Sequence, residues 1–434
     1  MPKADVLLSG VRPLNEQACD VWISDGRIRQ VGAAGSLVGD PHTVRPNVAG
    51  QILLPGLVDL HTHLREPGRE DAETIATGCA AAALGGFTAV HAMANTAPVA
   101  DTAGVVEQVW RIGQATGRCD VYPVGAVTVG LAGERLAELE SMASSAARVR
   151  VFSDDGICVS DAVLMRRALE YVKAFGGVIA QHAQEPRLTE GAQMNEGALS
   201  AQLGLTGWPA VAEEAIIARD VLLAEHVGSR LHVCHLSTRG SVEIIRWAKQ
   251  RGIHVTAEVT PHHLLLTEDL AATYDPIYKV NPPLRTVDDV TAVREGLADG
   301  TIDIVATDHA PHPHEAKDCE WSAGAFGMLG LQTALPIVVE TMVASGLMSW
   351  AQLAHQMSVQ PARIGQVDHM HGRPLQVGEP ANLVLIDPQK RWTVQPEALA
   401  SLSRNTPYVG MEMPASVRGT MLRGEWTVVD GELQ

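Results

Sequence analysis

Aromatic side chains are scarce in this 434-residue sequence, at 4% of the total. A large interior must then be filled by Ala, Val, Leu and Ile, which favours aliphatic α/β layers. Basic charge is short as well: 33 Lys and Arg against 50 Asp and Glu leave −17 at neutral pH. A phosphate-backbone partner needs the opposite balance, so nucleic acid is excluded. The six cysteines, Cys19, Cys79, Cys119, Cys158, Cys234 and Cys319, contain no CxxC pair and no short spacing. That scatter excludes a disulfide frame and a thiolate zinc site, and it fits a reducing, cytoplasmic setting. No apolar run approaches the roughly 18 residues of a membrane span, so a soluble chain without a membrane partner is expected.

The length exceeds what one hydrophobic core usually supports, so a large domain with an accessory unit is the natural arrangement. Residues 1–55 read as short strands, including DVWISDGRIRQVG with its Ser-Asp-Gly turn. The same texture returns over 366–434 in GEPANLVLIDP, ASVRGTMLRG and EWTVVDGEL. These two segments are expected to combine into one small β-sandwich. Between them, over 56–365, eight apolar runs alternate with helix-length stretches: LVDLH near 57, FTAVHAM near 87, DVYPVGAV near 120, VRVFSDD near 149, GVIAQHA near 177, LHVCHLS near 231, IHVTAEV near 253 and DIVATDHA near 303. That count predicts an α/β fold of the (β/α)8 barrel kind, with its site at the C-terminal ends of the strands.

Polar residues collect at those ends. His61 and His63, two apart on a strand, point to one face and can share a metal ion. The fourth strand ends in Asp154 and Asp155, the fifth in His182, the sixth in His235 and the eighth in Asp308. Imidazole nitrogen and carboxylate oxygen are the ligands hydrolytic zinc uses. Each has a plainer alternative: SDDG as a turn, His182 and His235 as satisfied core histidines, Asp308-His309 as a helix N-cap. The alternatives do not explain why all fall at strand ends of one barrel. His91, His232, His254, His262, His263 and His314 lie near strands or loops, but His91 and His232 fall inside strands rather than at their ends, and PHH at 261–263, the exit of the seventh strand, reads as structural or as support to the ligands.

Taken together, DLHTHLREPG (59–68), ETIATG (73–78), GGFTAVHAMANT (85–96), FSDDG (152–156), QHAQE (181–185), HLST (235–238), TPHHLLLTE (260–268), KVNPPLR (279–285) and ATDHAPH (306–312) resemble the amidohydrolase superfamily. Within it, the resemblance is to dihydroorotases of the longer bacterial type, over essentially the whole chain. It implies that His61, His63, Asp155 and Asp308 surround one zinc and that Asp155, His182 and His235 surround a second, with Asp155 bridging. Related cyclic amidohydrolases place a carbamylated lysine at the bridge; the only lysine between His63 and His182 is Lys173, inside a helix-like stretch. The resemblance further implies that Arg65, Asn95 and His312 hold a substrate carboxylate, that Asn281, Phe326 and Gly327 meet the substrate ring, and that Asp308 is the catalytic acid-base group. MANT in place of the usual MPNT and Gln332 in place of glutamate are small departures.

The implied activity is reversible conversion of L-dihydroorotate and water to N-carbamoyl-L-aspartate in pyrimidine synthesis, with one or two zinc ions, two favoured. A homodimer and an association with aspartate carbamoyltransferase are the implied assemblies. The loop 308–327 is long and polar and is expected to close over the site. A hydantoinase or allantoinase, and a non-catalytic scaffold, are the rival readings.

Overall fold

In the computed structural model, which describes residues 4–434, the first strands are β1 (Val6–Pro13), β2 (Cys19–Ser24), β3 (Arg27–Ala33) and β4 (Ile52–Pro55). Eight further strands follow: β5 (Leu57–Thr62), β6 (Phe87–Ala92), β7 (Asp120–Pro123), β8 (Val151–Phe152), β9 (Val178–Gln181), β10 (Arg230–Val233), β11 (Val255–Val259) and β12 (Ile304–Val305). All eight expected runs thus carry a strand. Their pairings are parallel, β5–β6–β7 in one sheet and β8 to β12 in sequence order in another. Two isolated parallel bridges, Gly125 with Phe152 and Thr62 with His309, lie where the two sheets adjoin.

Helical segments intervene between consecutive strands, among them Ile75–Leu84, Ala103–Thr116, Ala162–Lys173, Val211–Val227, Arg239–Gln250 and Val287–Ala298. Their starts are legible in the chemistry. The side chains of Thr74, Asp161, Thr238 and Thr286 each accept a hydrogen bond from a first-turn backbone N–H that has no helical partner. Helix Arg239–Gln250 buries Val242, Ile245 and Ala248, the three-residue spacing of one apolar stripe. Helix Ile75–Leu84 instead buries Cys79 to Ala83 without a break, because it packs both on β6 and on strands from the C-terminal end. Alanine suits a helix enclosed on several sides, since neighbouring backbones approach closely. Gly85 ends it where a Cβ would lie 2.1 Å from the Leu331 carbonyl oxygen.

Strands from both chain ends share one eight-stranded sheet. The C-terminal contributors are β13 (Leu383–Asp387), β14 (Ser416–Leu422), β15 (Glu425–Val429) and β16 (Glu432–Leu433), and β13 pairs antiparallel with β4. Side-chain alternation then sorts two cores. Leu53, Leu383, Leu385 and Met421 join Val6, Leu8, Val21, Ile23 and Ile28 in one cluster, whereas Ile52, Leu54, Val384 and Ile386 join the large core beneath the parallel strands. A third cluster, with Leu60, Met93, Val124, Val151, Val178, Ala180, Cys234, Ile304 and Ala306, draws on strands of both parallel sheets.

A buried polar knot ties the terminal sheet to the parallel strands. Asp120 at the start of β7 accepts from His371 Nε2 at 2.9 Å and from the Arg423 guanidinium, while His371 Nδ1 meets Thr88 Oγ1 at 3.1 Å. Burial pushes the Asp120 carboxyl up, but the hydrogen bonds from His371 and Arg423 outweigh it and its pKa is lowered. Replacing one member strands the others' charge, so Asp120→Asn should cost about 2–4 kcal/mol in urea unfolding. Because the folded pKa is the lower one, wild-type stabilisation from this group is complete above the unfolded value of about 4 and should fade as pH drops below it.

Candidate metal centre

The six residues expected as ligands meet at the C-terminal ends of the parallel strands, where His61 is the last residue but one of β5 and the others follow β5, β8, β9, β10 and β12. His63 Nε2 lies 3.2 Å from Asp155 Oδ2 and 3.1 Å from Asp308 Oδ1. His61 Nε2 faces the same two oxygens at 3.3 and 3.4 Å. On the far side of the shared carboxylate, Asp155 Oδ1 is 3.3 Å from His235 Nε2 and 3.4 Å from His182 Nδ1. Two donor groups therefore form, His61–His63–Asp155–Asp308 and Asp155–His182–His235, with Asp155 common to both.

All six side chains are buried, and His61 Nε2 makes no hydrogen bond despite complete burial. Burying charge without compensation is expensive. A cation between these nitrogens and carboxylates removes that cost, and the donor types match zinc, so the residues present fit a metal.

Backbone conformation aims several of these groups. Arg65, His235 and Asp308 have φ of +63, +31 and +47°, a region that side chains other than glycine rarely occupy. Held strain of this kind costs about 1–3 kcal/mol per residue and concentrates at functional sites. Asp154 and Asp155 separate cleanly: Asp154 accepts from the backbone N–H of Val127 and Thr128 at 2.8 and 2.9 Å and from the Thr128 hydroxyl, so it braces the strand end. Lys173 is far from the cluster, its ammonium donating to the Val227 carbonyl at 2.7 Å.

Electrostatics follow from mutual burial. Desolvation disfavours the charge on Asp155, but His61 together with the hydrogen bonds from His182 and His235 holds its pKa well below the usual range. Desolvation also opposes charge on His61, and the carboxylates of Asp155, Glu258 and Asp308 raise its pKa well above the ordinary value.

Glu258, in β11, was not singled out in the sequence, and neither was a role for His232. Its Oε1 accepts from His61 Nδ1 at 2.6 Å and from the His235 backbone N–H at 3.2 Å, and its Oε2 accepts from His232 Nε2 at 2.9 Å. Burial raises the Glu258 pKa, yet His61 and His232 bring it down to about 2. Glu258 thus fixes His61 with Nδ1 protonated and Nε2 free for the cluster. The sequence signal was a carboxylate inside an otherwise apolar strand run, VTAEV. Gln184 plays the matching part for His182, meeting its Nε2 at 2.7 Å.

The residues expected around a substrate lie nearby. Arg65 is buried and donates Nε–H to the Pro311 carbonyl at 3.0 Å, and burial lowers its pKa to about 10, which leaves it charged at neutral pH. Asn95 presents its carbonyl oxygen to His63 Nδ1 at 2.9 Å. The amide of Asn281 reaches Gln184 Oε1 at 3.2 Å while its own oxygen is buried without a partner. His312 donates Nε2–H to the Phe326 carbonyl at 2.7 Å, and burial together with Arg65 and Lys317 lowers its pKa to about 3. In this arrangement His312 is neutral and Arg65 carries the positive charge. Gly327 has φ +137°, and a Cβ there would meet Ala310 Cβ at 2.7 Å and His312 Nε2 at 2.8 Å.

A family model described as dihydro-orotase-like matches residues 50–241. The dihydroorotase of Streptomyces coelicolor is 67% identical over 98% of this chain and 99% of that protein. That of Mycobacterium tuberculosis is 56% identical over 99% of each. The chain belongs to the dihydroorotase family. Among solved structures, the L-hydantoinase (dihydropyrimidinase) of Arthrobacter aurescens superposes with a TM-score of 0.87 at 26% identity, covering 100% of this chain and 98% of that one. The dihydropyrimidinase of Brevibacillus agri, with TM-score 0.83 at 21% identity over 99% and 96% of the two chains, shares the fold. The protein is accordingly a cyclic amide hydrolase of this family, a metal-dependent group, and acts on a small molecule. No helix of the described residues is long and apolar enough to cross a membrane.

Groups that orient a metal-binding histidine typically contribute 10–100-fold in metal affinity. Glu258→Gln is therefore expected to lower metal affinity within that range, read by competition with a chromophoric chelator, while circular dichroism stays native.

Proposed function

We propose that this dihydroorotase holds two zinc ions, the first by His61, His63, Asp155 and Asp308 and the second by Asp155, His182 and His235, with Asp155 bridging. The observation that carries the reading is the single Asp155 carboxylate, one oxygen turned to each donor group. Bound there, zinc supplies Lewis acidity toward an amide carbonyl and lowers the pKa of water from ~15.7 toward ~7.

The chain's own residues do the rest. Arg65 has its Nε committed to Pro311, and its terminal nitrogens match the fork of a ring carboxylate. Asn95 and His312 flank that carboxylate, and Asn281, Phe326 and Gly327 border the ring of L-dihydroorotate. Burial raises the Asp308 pKa but His61 and His63 hold it below the usual carboxylate range, so Asp308 is unprotonated at neutral pH. As general base it takes a proton from the attacking water. The water oxygen bonds to the ring amide carbon, the carbon–nitrogen bond breaks, and Asp308 returns the proton to the departing nitrogen, giving N-carbamoyl-L-aspartate. Ring closure is the reverse path.

The two parallel sheets are read as arcs of one (β/α)8 barrel spanning residues 56–365, a reading supported by the two bridges between them and by the interior cluster they share. Residues 1–55 and 366–434 form the accessory domain. Its sheet folds over its own core as a sandwich, in keeping with the cluster that joins β1–β3 to β13 and β14. A cytoplasmic homodimer, with aspartate carbamoyltransferase as an associating partner, completes the proposal.

The deciding experiment is absorbance-monitored turnover of L-dihydroorotate by the purified chain, paired with elemental analysis. Turnover with two zincs per chain is expected; one zinc would remove the bridge, and turnover of hydantoin in preference to L-dihydroorotate would overturn the substrate assignment. Asp308→Asn should bind substrate and lose most turnover, and a near-normal rate would remove Asp308 from its role. The raised pKa of His61 means that protons compete with metal above the ordinary imidazole value of about 6.5. At fixed free zinc, bound zinc per chain should therefore begin to fall before acidification reaches that pH.

A further inference from the structure

The chemistry above leaves unused a cavity of about 580 Å³ at the opposite edge of the parallel strands. Arg148 and Arg150, just before β8, line it, as do His91, Trp110, Tyr122 and the segment 365–367. That segment belongs to the N-terminal edge of the strands: Arg230, the first residue of β10, donates to the neighbouring Ile364 carbonyl at 2.9 Å, and Gln366 donates to the Gly176 carbonyl. The volume lies within the range of about 300–1,000 Å³ typical of small-molecule sites.

Three observations define what would fit. No Asp or Glu lines the cavity, although the chain carries 50 acidic against 33 basic residues. The nearby Glu107 is already engaged by Arg111 and by the Ala146 backbone N–H. Among the described residues neither arginine has an ion-pair partner. Arg150 is braced through NH1 by the Ala143 and Val149 carbonyls at 2.9 and 2.8 Å, while Arg148 is exposed and held at φ +49°. Second, in a chain with few aromatic side chains, Trp110 and Tyr122 both line the cavity, beside the imidazoles of His91 and His369. Tyr122 stacks on His91 with centroids 5.4 Å apart and planes 25° from parallel, and half-buried Trp110 forms another part of the lining. Among the described residues the Tyr122 hydroxyl has no hydrogen-bond partner. Third, the lining touches the strand of the metal centre: His91 Nδ1 is 3.1 Å from the Asp59 carbonyl, and the His91 carbonyl accepts from Thr62 Oγ1 at 2.8 Å, on either side of His61 in β5.

We propose that this cavity is an effector site for a phosphorylated compound bearing a flat heterocycle, of nucleoside-monophosphate size. The two arginines face the phosphate, for which guanidinium is the preferred partner. Half-buried Trp110 and Tyr122 offer stacking surface to the heterocycle, an interaction of a kind found to hold single-stranded bases on aromatic side chains. The β5 contacts give the bound compound a physical connection to His61 and His63.

Equilibrium dialysis of the whole chain with uridine 5′-monophosphate tests this, with uridine and inorganic phosphate as separate arms. Saturable binding near one per chain is expected, tighter than either arm and still present at saturating L-dihydroorotate, with at most the reciprocal shift in affinity that an effector requires. Arg148→Ala should weaken it about tenfold, the loss of one charge-assisted hydrogen bond, with unchanged turnover when no nucleotide is present. Tyr122→Phe, which removes only the hydroxyl, should weaken it less. In the native chain the nucleotide should shift kcat or KM, and in Arg148→Ala the shift should need correspondingly more nucleotide. No saturable binding up to millimolar nucleotide, or binding indifferent to Arg148→Ala, would overturn the site. Complete, strictly competitive displacement by L-dihydroorotate would move the nucleotide to the metal centre, phosphate binding as tightly as the nucleotide would remove the heterocycle, and binding without any change in kcat or KM would remove the effector role.

Discussion

Two carboxylates buried among four imidazoles set the terms for the rest of this molecule. Asp155 and Asp308 would each be costly to desolvate alone, and they are tolerable because every oxygen toward the centre faces a ring nitrogen within 3.4 Å. Such a cluster cannot be assembled by one segment of chain. It draws on the exits of five strands between residues 57 and 308, so the parallel strands must hold their relative register for the donor set to exist.

Support for the cluster reaches outward in layers. Glu258 clamps His61 and His232, Gln184 steadies His182, and Asn95 steadies His63, so that each of those ligand rings has its second nitrogen occupied. Farther out, fully buried Arg285 donates to Ser237 Oγ at 3.0 Å, to Asn195 Oδ1 at 2.8 Å and to the Trp208 carbonyl at 3.0 Å. It thereby ties the strand exit of His235 to the segment carrying Asn281. The loop 308–327 is held in the same manner: Lys317 donates to the carbonyls of Pro276 and Lys279 at 2.9 Å each, and the Lys279 ammonium sits 4.6 Å from the centre of the Phe326 ring. In this structure the loop is packed down: its one lysine, Lys317, donates to backbone oxygens outside the loop, and Lys279 donates to the Trp321 and Ser322 carbonyls within it.

Much of this was legible in the residues. Eight apolar runs separated by helix-length stretches located all eight parallel strands, because strand burial leaves a continuous apolar signature. Texture at the two chain ends pointed to one shared β unit, and β4 pairing with β13 joins them. Histidines and aspartates at strand exits marked the cluster, because a charged group just past an apolar strand has few purposes there. Glu258 and His232 lie within strands, where a polar side chain gives no hint of which face it takes or what it meets.

The sequence by itself determined the kinds of element, their order and the chemical types available at each strand exit, since periodicity and residue chemistry are local properties. The tertiary structure decided which of two adjacent aspartates serves the centre. Asp154 turns to the backbone of Val127 and Thr128 and Asp155 turns inward, a choice set by a neighbouring strand exit 26 or 27 residues away. It also decided that Glu258 meets His61 across 197 positions of chain, and that Arg148, Arg150, Trp110 and Tyr122 line one cavity. Contacts between residues so far apart depend on the packing of whole strands and helices, and no local pattern encodes them.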